Sequence, residues 1–367
     1  MFLWLIRHIG LFRRHVEAHT AGDTSVFLTA RTAAAGLTAF LLAICLGPPA
    51  IRWLRRRFRE RIASASPTLN QLHAAKQNTP TMGGIFLMTA VGFATLVWAD
   101  LSSQLVGIVL WLVVSLTVLG AADDWIKQRT DRNGLSVRQK LRIQLAISAI
   151  AAIWLSVQQP PAPIADSVFI PVGRGLVSLS LLYVPWCMFI IVGTSNAVNL
   201  TDGLDGLAAG CSLFTAASFA LLTWLSGHRE LAAYLSIPHV SGAGEVTVTL
   251  GALLGALLGF LWYNCHPAKV FMGDAGSLPI GGLLAVAALV CRQELLLAVI
   301  GGVFVVETLS VILQVTVYRR TGKRPLRCSP LHNHFVFRGD HETAIVTRFW
   351  IVSAVLSVIG LGLLQLR

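Results

Sequence analysis

The sequence predicts an all-α polytopic membrane protein of about ten transmembrane helices, with both termini periplasmic and the active site on the cytoplasmic face. Three observations carry this. The 367-residue chain is 55% hydrophobic and 13% charged, with a mean hydropathy of +0.69; soluble domains run to roughly 45–50% apolar and about 25% charged residues. Apolar runs near the length a bilayer demands, about 20 residues, recur ten times. Lysine and arginine concentrate in alternate connections between those runs, which the positive-inside rule makes cytoplasmic.

The runs fall at 29–50, 80–98, 103–122, 141–157, 177–195, 206–225, 246–263, 276–291, 295–318 and 346–366. The eighth is short, and the ninth carries Glu307 in its middle. The mixed stretch 226–245 reads as an interfacial helix. The connections after the odd-numbered runs, with their flanks, hold 21 of the 29 lysines and arginines. An even number of crossings puts both termini on the other side. The net charge of +12 therefore reflects orientation and an anionic lipid or substrate; no nucleic-acid motif accompanies it. Six cysteines without paired spacing read as small core residues. Residues 1–25 turn basic after a short apolar start, so no cleavable signal peptide is expected. No repeat or long linker divides the chain, and residues 1–367 are read as one domain.

Five cytoplasmic stretches carry polar groups that a membrane chain does not hold without reason, because a charge near the bilayer centre costs about 2.5–3.5 kcal/mol on insertion scales. The first is His73-Ala-Ala-Lys76-Gln-Asn-Thr79-Pro80-Thr81-Met-Gly-Gly84. Pro80 suits the first turn of the second span, and Lys76 with that helix N-terminus can hold an anion; a snorkelling lysine is the plainer alternative. The second is Asp123-Asp124-Trp-Ile-Lys127. Adjacent carboxylates repel, so one can become a base or bind a divalent ion. An Asp123–Lys127 pair on one helix face is the plainer reading, but acids at a helix C-terminus oppose its dipole.

The third is Asn196-Ala-Val-Asn199-Leu-Thr201-Asp202-Gly203-Leu204-Asp205-Gly206. If the sixth span begins near Thr201, Asp202 and Asp205 share a helix face; N-capping explains one acid but not Asn199 and both aspartates. The fourth runs from Asn264 through Phe271 to Gly273-Asp274-Ala-Gly276-Ser277. Asp274 precedes the eighth span, where Gly276 and Ser277 could offer backbone N–H groups to phosphate. Beside the other acids on this face, Asp274 reads as a Mg²⁺ ligand, since hard oxygen donors favour that ion. The fifth is Ser329-Pro-Leu-His332-Asn333-His334-Phe335. No third ligand stands at zinc spacing. His332 reads as a phosphate-binding or proton-transfer group, and His334 competes with an ordinary surface histidine. Glu307 reads as an internally paired residue that fixes a bend, with a proton relay as the sharper alternative.

Together these groups fit phosphoryl transfer, in which cations offset diphosphate charge and an acid positions the nucleophile. Carboxylates at the interface suit one water-soluble and one lipid-borne substrate. A transporter would hold its polar groups near mid-span at repeat interfaces; here they cluster on one face.

The segments LHAAKQNTPTMGG, DDWIK, NAVNLTDGLDGLAAG, FLWYN, FMGDAGS, SPLHNHF and RFW resemble, in order, the signature set of the phospho-N-acetylmuramoyl-pentapeptide transferases. These belong to the polyprenyl-phosphate N-acetylhexosamine-1-phosphate transferase superfamily. The resemblance implies a multi-pass enzyme of the bacterial inner membrane that moves phospho-MurNAc-pentapeptide from UDP-MurNAc-pentapeptide to undecaprenyl phosphate, giving lipid I and UMP. It also implies Mg²⁺ and a homodimer. By motif position it implies Asp274 as metal ligand and catalytic group, Asp123 and Asp124 as catalytic or as positioning the lipid phosphate, and His332 as catalytic. Asn199 and Asp202 would line the centre. Lys76, Gly203, Leu204, Asp205, Asn264 and Phe271 would form the uridine pocket. Lys127, Lys140 and His332 would contact phosphates, and Thr81 and His334 would join the substrate-binding set. A sister enzyme moving GlcNAc-1-phosphate is the alternative; the loop at 329–335 argues against it. The chain departs from the pattern at Asn333, where a third consecutive histidine is usual, at Gln77-Asn78 before TPTMGG, and at Ala275, where threonine is usual.

Overall fold

The computed structural model describes residues 27–58, 76, 79–130, 134–158, 165–170 and 175–364. His73, Gln77, Asn78 and both chain termini lie outside them. Among the described residues eight helices are long and apolar enough to cross a membrane: α1 (Leu28–Arg57), α3 (Gln104–Arg129), α4 (Val137–Val157), α5 (Tyr183–Thr201), α6 (Leu207–Ser226), α8 (Ala243–Asn264), α11 (Gly302–Thr321) and α13 (Glu342–Leu363). Two shorter apolar helices, α2 (Gly84–Trp98) and α9 (Asp274–Val290), occupy the second and eighth predicted spans. The short helices are α7 (Arg229–Leu235), α10 (Glu294–Ile300) and α12 (Leu331–Arg338). The protein is an all-α polytopic membrane protein; the described residues add one small sheet. An antiparallel strand pair, β1 (Ser167–Ile170) and β2 (Gly175–Ser178), is paired Ser167 to Ser178.

α9 is the hub. All of its residues are buried, and α3, α5, α6 and α2 pack around it. A helix that is apolar on every side has nowhere else to go. α8 packs along α1 through Gly251, Gly255 and Gly259; a Cβ at Gly255 would stand 1.8 Å from the Gly36 carbonyl oxygen. Such small-residue stripes let helix backbones touch in a membrane, where van der Waals contact replaces the hydrophobic drive. At the end of this pair away from Asn264, buried Arg31 grips Glu245 with two hydrogen bonds of 2.6 and 2.9 Å. The same carboxylate accepts the Asp100 N–H at 2.9 Å, and Arg31 reaches the Trp98 carbonyl at 3.0 Å. One ion pair thus ties α1, α8 and the α2–α3 turn together. α4 starts at a capping box, Ser136 with Gln139, which satisfies two orphan donors reciprocally.

Four expectations change. The ninth span is two helices, α10 and α11, broken at Gly301; the Gly301-Gly302 pair is where helix propensity is weakest, and Leu356 packs against Gly302. The second span starts at Gly84, not Pro80, whose carbonyl instead accepts the Phe271 N–H at 2.8 Å. α5 runs on to Thr201 and α6 starts only at Leu207, so Asp202 and Asp205 lie in the turn between helices rather than on one helix face. The N–H groups of Gly276 and Ser277 both donate to the Gly273 carbonyl, which removes them as phosphate donors.

Candidate active site

Four helix ends meet where the predicted carboxylates gather. Asp123 and Asp124 project from the last turns of α3, just beyond its apolar stretch, and Asp274 is the first residue of α9. Lys140 comes from the start of α4 and Asn199 from the end of α5. Asp274 Oδ2 meets Lys140 Nζ at 2.5 Å and Lys127 Nζ at 2.9 Å; Oδ1 accepts from Asn199 Nδ2 at 2.7 Å. Asp123 Oδ2 lies 2.8 Å from Lys127 and 3.5 Å from Lys140, while its Oδ1 accepts the Leu135 N–H at 2.6 Å. Asp124 Oδ2 accepts the Ala275 N–H at 3.1 Å. Gly273 makes the close approach possible: its φ is +71°, and any Cβ there would stand 2.5 Å from Asp124 Oδ2 and 3.1 Å from buried Thr81 Oγ1.

The electrostatics separate the three carboxyls. Burial opposes the ionisation of Asp274, yet its hydrogen bond with Asp123 and the charges of Lys127 and Lys140 outweigh that and hold it below the carboxylate range. The N-terminus of α9 favours the same charge. Burial pushes Asp124 up to about 8, aided by the charge of Asp274 and opposed by Lys127. Burial also raises Asp123, helped by its hydrogen bond with Asp274. One carboxyl of the three is thus held ionised, and the other two can carry a proton.

A second cluster adjoins the first. Lys76 Nζ bridges Asp205 Oδ1 at 2.7 Å and Glu342 Oε1 at 2.5 Å, and lies 6.0 Å from the centre of the Phe271 ring. Asp205 Oδ2 accepts the Ala268 N–H at 3.1 Å and pairs with His266 Nδ1 at 3.0 Å; the Asp205 N–H donates to Glu342 at 2.8 Å. Asn264 is buried, accepting from the Gly206 N–H at 3.1 Å and donating to the Val270 carbonyl at 2.9 Å. Leu204 is buried in the same turn, and Asp202 caps the end of α5. His332 is buried against Gly203 and Glu307. His334 stands apart from both clusters, its Nδ1 accepting the Arg327 N–H at 3.2 Å in the basic loop.

The first cluster gathers three carboxylates, hard oxygen donors whose chemistry fits a divalent cation, and pairs them with the Lys127 and Lys140 ammonium groups. Asp205, His266 and Glu342 also bring ligand atoms within 4.8 Å of one another, but an imidazole nitrogen is a poorer donor for Mg²⁺ than a third carboxylate. Sequence reasoning missed His266 and Glu342. An acid in the first turn of the last span reads as a dipole complement, and a histidine before Pro267 reads as loop.

The family model for glycosyl transferase family 4 matches residues 105–292, which holds both the aspartate pair and Asp274. The phospho-N-acetylmuramoyl-pentapeptide-transferase of Pelobacter propionicus is 43% identical over 362 residues, 96% of this chain and 99% of the relative. Proteins of the same name from Nitratidesulfovibrio vulgaris and Solidesulfovibrio magneticus are each 45% identical, covering 93% of this chain and 94% of the relative.

Proposed function

Since the chain belongs to the phospho-N-acetylmuramoyl-pentapeptide-transferase family, we propose that its two adjoining clusters carry out that transfer from UDP-MurNAc-pentapeptide to undecaprenyl phosphate, releasing UMP and leaving lipid I. The protein is a transferase of peptidoglycan synthesis and a multi-pass protein of the inner membrane. The observation that carries the finer reading is the carboxylate–lysine cluster of Asp123, Asp124, Asp274, Lys127 and Lys140 beside a pocket of Lys76, Asp205, Asn264 and Phe271.

The residues divide the work by chemistry. Lys76, Asp205, Asn264 and Phe271 suit the uridine, offering a donor, acceptors and an aromatic face. Glu342 and His266 hold that pocket's charges in place. Lys127 and Lys140, each paired with Asp123 and Asp274, suit the diphosphate. Asp274, with Asp123 and Asp124 beside it, would hold Mg²⁺, which supplies neutralisation of the diphosphate charge as the transition state forms. An oxygen of the lipid phosphate forms a bond to the sugar-bearing phosphorus while the bridging P–O bond breaks and UMP leaves with the electron pair. Asp123 or Asp124 takes any proton the lipid phosphate carries, as their raised affinity for protons suits. Asn199 fixes Asp274 from the α5 side. We read the chain as one domain that works as a homodimer, with both termini periplasmic.

The test is substrate choice. Purified protein is given undecaprenyl phosphate, Mg²⁺ and either UDP-MurNAc-pentapeptide or UDP-GlcNAc. The expected lipid product forms from the first. Product from UDP-GlcNAc alone would assign the chain to the sister activity that glycosyl transferase family 4 also covers.

A further inference from the structure

Glu307 lies inside the ninth span and is 0% exposed; His332, on the first turn of α12, is 1% exposed. The carboxylate places both oxygens on this one residue. Oε1 accepts the His332 backbone N–H at 3.0 Å, and Oε2 meets His332 Nδ1 at 3.2 Å. Among the described residues His332 is the side chain that bonds the Glu307 carboxylate, and the titratable group that faces it from α6 is the buried Cys211 thiol. A carboxylate so placed must find donors or bear a heavy desolvation cost. The other edge of the imidazole packs close against the central turn: a Cβ at Gly203 would stand 2.2 Å from His332 Nε2. The ring is therefore held between a buried acid and the central turn, the turn that follows Asn199 and its bond to Asp274.

We propose that Glu307 is the positioning residue for His332. It keeps the proton on Nδ1 and pins the first turn of α12, so that Nε2 is the nitrogen presented at Gly203. There Nε2, left without a proton, accepts one from a substrate phosphate. The logic is that of an acid which orients a histidine without itself reacting. A purely structural staple needs only the bond from Oε1 to the backbone N–H. The second bond, to Nδ1, is what sets the ring. The role of Nε2 rests on the transferase reading; the state of the ring does not.

Two readouts test this on the full chain in detergent. Nitrogen-15 histidine NMR, with H332N used to identify the resonances, should show His332 protonated at Nδ1 in the wild type and lose that preference in E307Q. In the transferase assay E307Q should lower kcat on the order of 10²-fold, with KM for the UDP substrate changed by less than about threefold. The E307Q/H332N double variant should be no worse than H332N, because the two act as a unit. E307D, which keeps a carboxylate on a shorter arm, should recover part of kcat. Gly203→Ala gives a second route that leaves Glu307 intact: it should displace Nε2 and lower kcat while the Nδ1 proton stays. The proposal is overturned if E307Q keeps wild-type kcat and tautomer, if the single losses multiply in the double variant, or if Gly203→Ala is as active as wild type. A wild-type chain inactive on UDP-MurNAc-pentapeptide would overturn the functional reading and leave the tautomer result to decide the Glu307–His332 pairing.

Discussion

Asp124 and Asp274 sit in one hydrogen-bonded cluster, yet their surroundings drive them to opposite protonation states. That division gives a pH prediction with a defined sign. Asp124 is raised from 3.8 to about 8, so the folded protein binds a proton there that the unfolded chain releases. Its contribution to stability is complete below about 4 and is lost as pH rises toward 8. Thermal unfolding of chelator-treated protein from pH 5 to 9 should therefore fall with pH, and Asp124→Asn should flatten the slope relative to wild type; an unchanged slope contradicts the assignment. In the adjoining pocket, Glu342→Gln removes a charge-assisted bond to Lys76. Such bonds are worth about 1.5–3 kcal/mol, so KM for the UDP substrate should rise about tenfold or more with kcat much less affected. A loss confined to kcat would place Glu342 outside the nucleotide pocket. The aspartates were legible in the sequence because carboxylates in a 13%-charged chain stand out. Glu342 and His266 were not, because their importance lies in which distant groups they meet.

Helix packing sets how closely those groups can meet. α9 brings Asp274 to Asp123 because it is buried along its full length, and α8 brings Asn264 to the central turn because glycine lets it lie against α1. Gly255→Leu should push the two helices apart and cost at least about 1–3 kcal/mol as overpacking, read as a lower melting temperature in detergent. Glu245→Ala removes the carboxylate that offsets the buried Arg31 charge and should cost about 3–5 kcal/mol. A variant as stable as wild type in either case would show that the α1–α8 seam does not hold the bundle. Hydropathy made the runs legible, since a membrane helix must hide every backbone group, but the first, third and fifth stop short of their helix ends at Arg57, Arg129 and Thr201. The break at Gly301 was not legible, because both halves are apolar and a glycine pair alone does not say which neighbour will bend the chain. The four-residue strands of the β1–β2 pair are too short to carry a periodic signal.

At the scale of the molecule, two sets of groups far apart in sequence become one working face. Lys76, Asp123, Asn199, Asp274, His332 and Glu342 come from elements spread along almost the whole chain, and the bundle assembles them at the ends of α3, α5, α9 and α13. The sequence motifs named the members that the structure brings to this face, apart from Glu342 and His266. They could not foretell its division into a carboxylate–lysine centre and a separate Lys76–Asp205–Glu342 pocket, because spacing along a chain says nothing about which loops share a helix end. The central claim is that Asp274 anchors the reacting diphosphate through Mg²⁺. The direct measurement is exchange of labelled UMP into UDP-MurNAc-pentapeptide by purified Asp274→Asn protein across a Mg²⁺ titration, with helicity and elution volume matched to wild type. The account predicts exchange lowered on the order of 10³-fold or more and not restored by added metal. Wild-type exchange in that variant would contradict it.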